Sequence, residues 1–378
     1  MRSVAIIYAS EGTGHKSAAA ALREHFLEHN PEANVVCLDI LDFVPESVKN
    51  FVSEGYVSLA RHTPFLWGWL YNSSNKESWN AKLFTKIHNG LCLKYLSALE
   101  KRLDKMKVEA VFFTHYFGAE LLAKRNKDKY PVFFINTDFV SHKFQRSKYF
   151  THTFVASQDD KQLYEENGIT DVTVSGIPIF LKYSCTPEKS QAREQLGIAP
   201  DDKVIMISGG GIGAGSIYEI TTNFDETLEE NTTVLVICGN HDELYRKLKK
   251  KISNHKIRIF GFVRDIQTFY AASDLAIIKP GGLSVSECLA TKVPMLFVDP
   301  IPGQEAWNQK IICAEGAAME VLVSENSAHF AQDLLKDPFF LKYLRGNMEK
   351  IAHPDASHTI IKKAEEIIKE RNAGKEEN

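Results

Sequence analysis

Leu275-Ala276-Ile277-Ile278-Lys279-Pro280-Gly281-Gly282-Leu283-Ser284-Val285-Ser286-Glu287 is the stretch that decides the fold of this chain. Its four leading apolar residues have the pattern of a strand buried on both faces of a parallel sheet. The run breaks at Pro280-Gly281-Gly282, and Ser284 to Ala290 predicts a helix. Glycine lets the backbone turn tightly and approach a ligand closely. A helix start offers unpaired N–H donors and partial positive charge, which suit a phosphate. Glu287 lies one turn into the helix, placed either to cap it or to accept hydrogen bonds from ribose hydroxyls. Many strand–helix turns carry glycine with no ligand, so the turn alone leaves a plain loop and an anion site both open.

The same strand–loop–helix design recurs on either side. Lys203 to Ser208 predicts a strand that runs into Gly209-Gly210-Gly211-Ile212-Gly213-Ala214-Gly215-Ser216, a loop with enough glycine to curl around a diphosphate. Val234 to Cys238 and Ile257 to Phe260 predict two more strands, the second ending in Gly261-Phe262-Val263. A helix follows over Arg264 to Ala272. Met295 to Val298 predicts a strand ahead of Pro300-Ile301-Pro302-Gly303-Gln304-Glu305. Helices over 304–315, 326–335 and 357–371 close the chain.

The first half repeats the strategy. Val4 to Ala9 predicts a strand, Ser10 to His15 a loop, and Lys16 to His29 a helix favoured by the run Ala18 to Ala21. This is a Rossmann-like opening without the dinucleotide fingerprint, because Ser17 stands where a third glycine belongs. Asp39 at the end of the second strand therefore reads as a solvated strand end rather than a ribose ligand. His15 sits at the loop–helix junction, where an imidazole suits proton transfer near neutral pH but also suits plain capping. Strands at Ala110 to Phe113 and Pro131 to Asn136 end in Thr114-His115 and Thr137-Asp138, with His142 just beyond. Parallel sheets place ligands at such strand ends, so His15, His115, Asp138 and His142 are expected on one edge.

Two alternating β/α series in 378 residues predict an α/β protein of two domains with parallel sheets, the cleft between them being the default site. The expected boundaries are 1–180, 181–355 and a C-terminal helix over 356–378 that packs back on the first domain. A formal net charge of −3 argues against a nucleic-acid partner. Six scattered cysteines with no C-x-x-C spacing fit a reducing compartment and disfavour zinc. No signal peptide or bilayer-spanning run is expected.

Residues 43–107 interrupt the first series. They carry Phe65-Leu66-Trp67-Gly68-Trp69-Leu70-Tyr71, and residues 76–107 hold eight Lys or Arg against three Asp or Glu. Aromatic and basic residues together suit an anionic bilayer surface, though aromatics in a core and lysines on a solvated helix give the same composition.

Gly261-Phe262-Val263, Lys279-Pro280-Gly281-Gly282 with Glu287, and Pro302-Gly303-Gln304-Glu305 with Asn308 resemble the donor region of nucleotide-sugar glycosyltransferases of GT-B architecture. Gly12-Thr13-Gly14-His15-Lys16-Ser17 and Thr137-Asp138-Phe139-Val140-Ser141-His142 narrow the resemblance to glycosyltransferase family 28, in the monogalactosyldiacylglycerol synthase and processive diacylglycerol glucosyltransferase group. The resemblance implies two Rossmann-like domains facing across a cleft. It implies inverting transfer of glucose or galactose from a UDP-sugar to diacylglycerol or a glycosyl-diacylglycerol.

By position, the backbone of Gly261, Phe262 and Val263 would read uracil and Glu287 the ribose. Gly281, Gly282, Leu283 and Ser284 would hold the diphosphate beside Gly209, Gly210 and Gly211. Gln304 and Glu305 would touch the sugar. His15 would be the base, with Asp138 orienting or replacing it. Gly12, Thr13, Gly14, His115, Phe65, Trp67 and Trp69 would serve the acceptor and an anionic membrane on the cytoplasmic face.

No cofactor or metal is expected, since the chain has no Asp-x-Asp pair and a helix start can stabilise a leaving diphosphate. Glu11, a departure from the family pattern, would raise the pKa of His15 if it acts at all. The alternatives are a UDP-N-acetylglucosamine transferase with another lipid-linked acceptor, a UDP-sugar 2-epimerase, and a catalytically silent UDP-sugar sensor at the membrane.

Overall fold

The computed structural model describes residues 1–10, 13–45, 95–211, 213, 215–321 and 326–376. Gly12, Phe65, Trp67 and Trp69, and with them Glu11, lie outside the described residues. The chain forms two compact units. One comprises Met1–Leu181, Ile301–Gln304 and Asp355–Asn378; the other comprises Lys182–Pro300 and Glu305–Pro354.

The first unit holds a sheet of six parallel strands: β1 (Ser3–Tyr8), β2 (Asn34–Asp39), β3 (Ala110–Phe113), β4 (Val132–Ile135), β5 (His152–Val155) and β6 (Val172–Val174). Their order is β2-β1-β3-β4-β5-β6. The apolar runs expected from the sequence become strands because both faces of the sheet are covered. Ala5, Ile7, Val111, Phe113 and Phe134 pack on one side with Leu96, Leu99, Leu103 and Leu122. Val4, Ile6, Phe112, Phe133 and Phe154 pack on the other with Leu22 and Phe26 of the helix Thr13–His29 and Ile360, Ile361 and Ala364 of the helix Ala356–Glu376. The chain's last helix is thus part of the first unit's core, and the Met1 amine binds Glu365 Oε1 at 2.9 Å.

The second unit repeats the plan with β7 (Lys203–Ser208), β8 (Thr232–Ile237), β9 (Ile257–Phe260), β10 (Leu275–Ile278), β11 (Met295–Phe297) and β12 (Ala318–Glu320). The order is β12-β11-β10-β7-β8-β9, again all parallel. The edge strand β12 has no counterpart in the sequence reading, since its three residues, running from buried Ala318 to exposed Glu320, form no apolar run.

Both orders reverse direction once. The chain leaves β1 toward β2 and returns to its other side at β3; it leaves β7 toward β8 and returns at β10. Loops diverge at such switch points and leave a crevice at the carboxyl ends of the strands. Two of the helix starts that differ from expectation lie at the candidate site. The helix after β1 begins at Thr13 rather than Lys16, so His15 lies in its first turn. The helix after β10 begins at Gly282 rather than Ser284. Asp39 is not simply solvated: its carboxylate accepts from the amide of Leu41 at 3.0 Å and caps a short 3-10 turn.

Candidate active site

At the switch point of the first unit the side chain of His15 is clamped by the end of β3. His15 Nδ1 lies 2.7 Å from the Thr114 carbonyl oxygen, and the Thr114 hydroxyl donates back to the His15 carbonyl at 3.0 Å. The Thr137 hydroxyl is 2.9 Å from the same Nδ1. A carbonyl only accepts, so Nδ1 carries the proton and the lone pair of the neutral ring is on Nε2. The nitrogen an orienting carboxylate would hold is therefore held by Thr114. His115 stands edge-on to His15, with ring centroids 4.6 Å apart. Its own Nδ1 accepts from the amide of Phe117 at 3.2 Å. A line of rings continues through Tyr116 and Phe144 to His142.

Burial pushes the pKa of His15 down to about 4, with the Thr114 carbonyl opposing part of the shift. This is the reverse of the upward shift expected if Glu11 acted on it. His152, buried beside Thr173, is likewise pushed down to about 4 by burial. Both rings stay neutral in the folded protein where a free histidine, with a pKa near 6.5, takes up a proton. Between those values the unfolded chain binds more protons, so stability falls as pH drops from about 6.5 toward 4. The loss is about 3 kcal/mol at most for each histidine. Melting temperatures measured across that range should decline, and His15→Gln should flatten the slope; a profile that is level in the wild type would contradict buried neutral histidines.

Asp138 is half-buried next to Thr137, with its amide 3.3 Å from Asn136 Oδ1. The loop it belongs to rests on Asp160, which is fully buried. The Asp160 carboxylate accepts from Asn136 Nδ2 at 2.7 Å, the Ser141 amide at 2.7 Å and the Ser141 hydroxyl at 2.6 Å. Gln145 closes the network, donating to Asn136 Oδ1 at 3.1 Å. His142 caps the short turn 143–145, accepting from the Phe144 amide at 3.3 Å. Thr13 is exposed and Gly14 half-buried, both in the first turn of the helix that carries His15.

In the second unit, the loops after β7, β10 and β11 meet at its switch point. The helix after β10 has Gly281 as its cap residue, which supplies no side-chain acceptor for the first-turn amides of Gly282, Leu283 and Ser284. Asn308, fully buried, holds the turn by donating to the Pro280 carbonyl at 3.1 Å. Lys279 Nζ pairs with Glu305 Oε2 at 3.1 Å, the two side chains being 11% and 20% exposed. Glu305 thus has a cation at its side, which the motif alone did not reveal. Gln304 is the first residue of the helix Gln304–Ala314.

Asp299 adopts a left-handed conformation (φ 47°) just beyond β11, and its Oδ2 accepts from the Ser216 amide at 2.7 Å. Such conformations are costly for a residue other than glycine and persist where neighbours fix them. The glycine loop after β7 has a tertiary cause as well as a candidate ligand. A Cβ on Gly213 would meet the Cys238 carbonyl oxygen at 2.1 Å, and one on Gly239 would meet the Gly211 carbonyl at 2.6 Å. Gly210, by contrast, has open space around it. At the end of β9, Gly261 is likewise unobstructed, Phe262 is 62% exposed and Val263 is half-buried.

Glu287, half-buried on the helix after β10, accepts from the Tyr270 hydroxyl at 3.0 Å and has the Tyr183 hydroxyl close by. Burial raises its pKa, and the two tyrosine hydroxyls and Lys182 pull it back.

The structure therefore gathers His15 and His115 at the switch point of one unit. In the other it places Gly281, Gly282, Leu283, Ser284 and Glu305 with the loop of Gly209, Gly210 and Gly211. The sequence reading missed Thr114, Thr137, Asn136, Asp160, Tyr183, Tyr270 and Asp299. Thr114, Asn136, Thr137 and Asp299 had only a position at or just beyond a strand end as local signal, and Asp160, Tyr183 and Tyr270, on helices or a helical turn, had none. A cavity of about 530 Å³ lined by His25, Glu28, His29, His358, Lys362 and Glu365 lies elsewhere. His25 there is taken by the Ile179 carbonyl and Glu365 by the chain's amine, so it is a seam between helices.

Comparison with known proteins follows the two units. Residues 15–179 match the family model described as monogalactosyldiacylglycerol (MGDG) synthase, and residues 204–368 match the glycosyltransferase family 28 C-terminal domain. The processive diacylglycerol beta-glucosyltransferase of Staphylococcus epidermidis is 26% identical over 352 residues, covering 92% of this chain and 88% of that one. Among solved structures, MurG of Acinetobacter baumannii superposes with a TM-score of 0.63 at 17% identity, covering 97% of this chain and 100% of the other. MnaA of S. aureus with UDP also gives 0.63, at 12% identity, covering 96% and 95%. At these identities the likeness shows the fold, which is GT-B, as the sequence led us to expect.

Proposed function

We propose, from the premise that the chain belongs to the monogalactosyldiacylglycerol synthase group of glycosyltransferase family 28, that it moves a hexose from a UDP-sugar to diacylglycerol or a glycosyl-diacylglycerol with inversion. The relatives' name supports the lipid acceptor, and UDP in a structural neighbour supports the nucleotide. The observation that carries the reading is His15, held as a neutral base by Thr114 with its lone pair on Nε2.

In the proposed reaction Nε2 removes the proton of the acceptor hydroxyl. The acceptor oxygen bonds to the anomeric carbon as the carbon–oxygen bond to UDP breaks, and UDP leaves with the bonding electrons. The charge growing on the diphosphate is met by the first-turn amides of Gly282, Leu283 and Ser284 and by the helix dipole. Glu287 accepts from the ribose hydroxyls. Gly261, Phe262 and Val263 supply backbone to the base, and Gln304 and Glu305 face the sugar. No metal is required, because fixed N–H donors provide the stabilisation a divalent ion would give. Asp138 lines the acceptor side with His115.

The acceptor places the enzyme at a membrane surface, which we take to be the cytoplasmic face. Among the described residues no helix is long and apolar enough to cross a membrane. Phe65, Trp67 and Trp69 remain our candidates for the contact.

The test is a product assay on the whole chain with UDP-glucose or UDP-galactose and diacylglycerol in anionic micelles, with and without a chelator. Mass spectrometry should find hexosyl-lipid with one donor at least, unchanged by chelator, and the anomeric proton should show the large coupling of a β-linkage. UDP binding without any lipid product would overturn the transferase reading in favour of a sensor or another acceptor, and turnover of UDP-N-acetylglucosamine to its 2-epimer would mark an epimerase.

A further inference from the structure

Glu287 is held from below. Tyr270, on the helix Ile266–Ala272, donates to Glu287 Oε2 at 3.0 Å. The Tyr183 hydroxyl, arriving from the start of the second unit, lies close to the same carboxylate. Both tyrosines are buried, at 4% and 2% exposure, with ring centroids 6.0 Å apart in an edge-to-face pair. Packing alone would be served by phenylalanine at both positions. A buried hydroxyl is costly unless it has a partner, so two of them converging on one acid mark a built arrangement. Lys182, whose Nζ donates to the Arg264 carbonyl at 2.6 Å, adds a positive charge that favours the ionised acid.

We propose that Tyr183 and Tyr270 are positioning residues that fix the Glu287 carboxylate so that it distinguishes ribose from 2′-deoxyribose in the nucleotide donor. This rests on the reading of Glu287 as the ribose ligand. An ionised carboxylate has about four acceptor sites. The two phenols occupy part of that capacity from the protein side and stay protonated, since burial holds the pKa of each well above the usual tyrosine range. What remains faces a vicinal diol, which presents two donors. A carboxylate free to rotate would lose little when one hydroxyl is removed. A fixed one loses a charge-assisted hydrogen bond and keeps an unpaired lone pair, and so discriminates.

Calorimetry on the full chain with UDP and 2′-deoxy-UDP tests this. The wild type should prefer UDP by roughly tenfold to a hundredfold, the range for a hydrogen bond to a charged group. Tyr270→Phe should cut that preference to a few-fold, with most of the loss in UDP and little in 2′-deoxy-UDP. It should raise the donor KM and leave kcat within a few-fold. In a Glu287→Gln background the same change should add nothing. Tyr183→Phe gives an independent reading should Tyr270→Phe fold poorly. Equal weakening of both nucleotides, or full additivity with Glu287→Gln, would reduce the tyrosines to packing and overturn the proposal. Unaltered UDP affinity in Glu287→Gln alone would instead remove Glu287 from the ribose site.

Discussion

Replacing His15 with alanine should lower kcat by roughly 10²–10⁴-fold, the contribution a positioned general base makes. UDP affinity measured by calorimetry should stay within about twofold, because the proposed nucleotide ligands lie in the second unit. Two readouts separate a base from a structural histidine. The acid limb of kcat/KM in the wild type should fall with a midpoint below 6.5, toward the value of about 4 to which burial pushes the ring. The direction follows from the charge: only the neutral ring accepts the proton, so activity is kept above the folded pKa and lost below it. His15→Gln, which keeps an amide donor for the Thr114 carbonyl but has no basic nitrogen, should be as inactive as alanine while melting closer to the wild type. Retained turnover in either variant would transfer the base role to Asp138. In the proposed reaction Thr114 would act through His15, since its carbonyl selects the tautomer.

The second large effect is on stability. Asp160→Ala should destabilise the first unit by about 3–5 kcal/mol, as for removal of one partner from a buried charged network. Ser141 would keep an amide and a hydroxyl, and Asn136 an amide, with no acceptor in a fully buried site. Asp160→Asn keeps the volume but turns one donor against another, so a smaller loss of about 1–3 kcal/mol is expected. Differential scanning calorimetry would resolve the first unit's transition, and a shift confined to it would agree with the placement of Asp160. Because Asn136 and Ser141 bracket Thr137 and Asp138, kcat should fall even at temperatures where Asp160→Asn remains folded. A variant with wild-type melting would show that the network is not part of the unit's stability.

Much of the second unit was legible in its residues. Strand β10 falls where the apolar run places it, because a strand buried on both faces announces itself as an unbroken hydrophobic run. The glycine loop after β7 was visible as glycine, yet its cause was only half visible. Gly213 and Gly239 are demanded by two loops pressed together, a contact between positions no local pattern connects. The helix carrying His15 starts earlier than its alanine run suggested, since Thr13 and Gly14 have weak helix preference and the surrounding structure overrides it. Strand β12 escaped notice because, unlike the equally short β11, it is half-exposed at the sheet edge and carries no apolar run.

By itself the sequence determined the two α/β series, their parallel strands, the glycine turn after Ile278 with Glu287 one turn beyond, and the family models that these match. Those features are local: they depend on the order of apolar residues, glycine and proline over a dozen positions. Only the tertiary structure decided which nitrogen of His15 holds its proton and what braces Glu287. Thr114 and Thr137 stand 99 and 122 residues from His15, and Tyr270 stands 17 from Glu287 on a different helix. Hydrogen-bond partners so separated are chosen when the strand ends come together at the switch points, and that choice follows from the order of strands in each sheet, which no local spacing records.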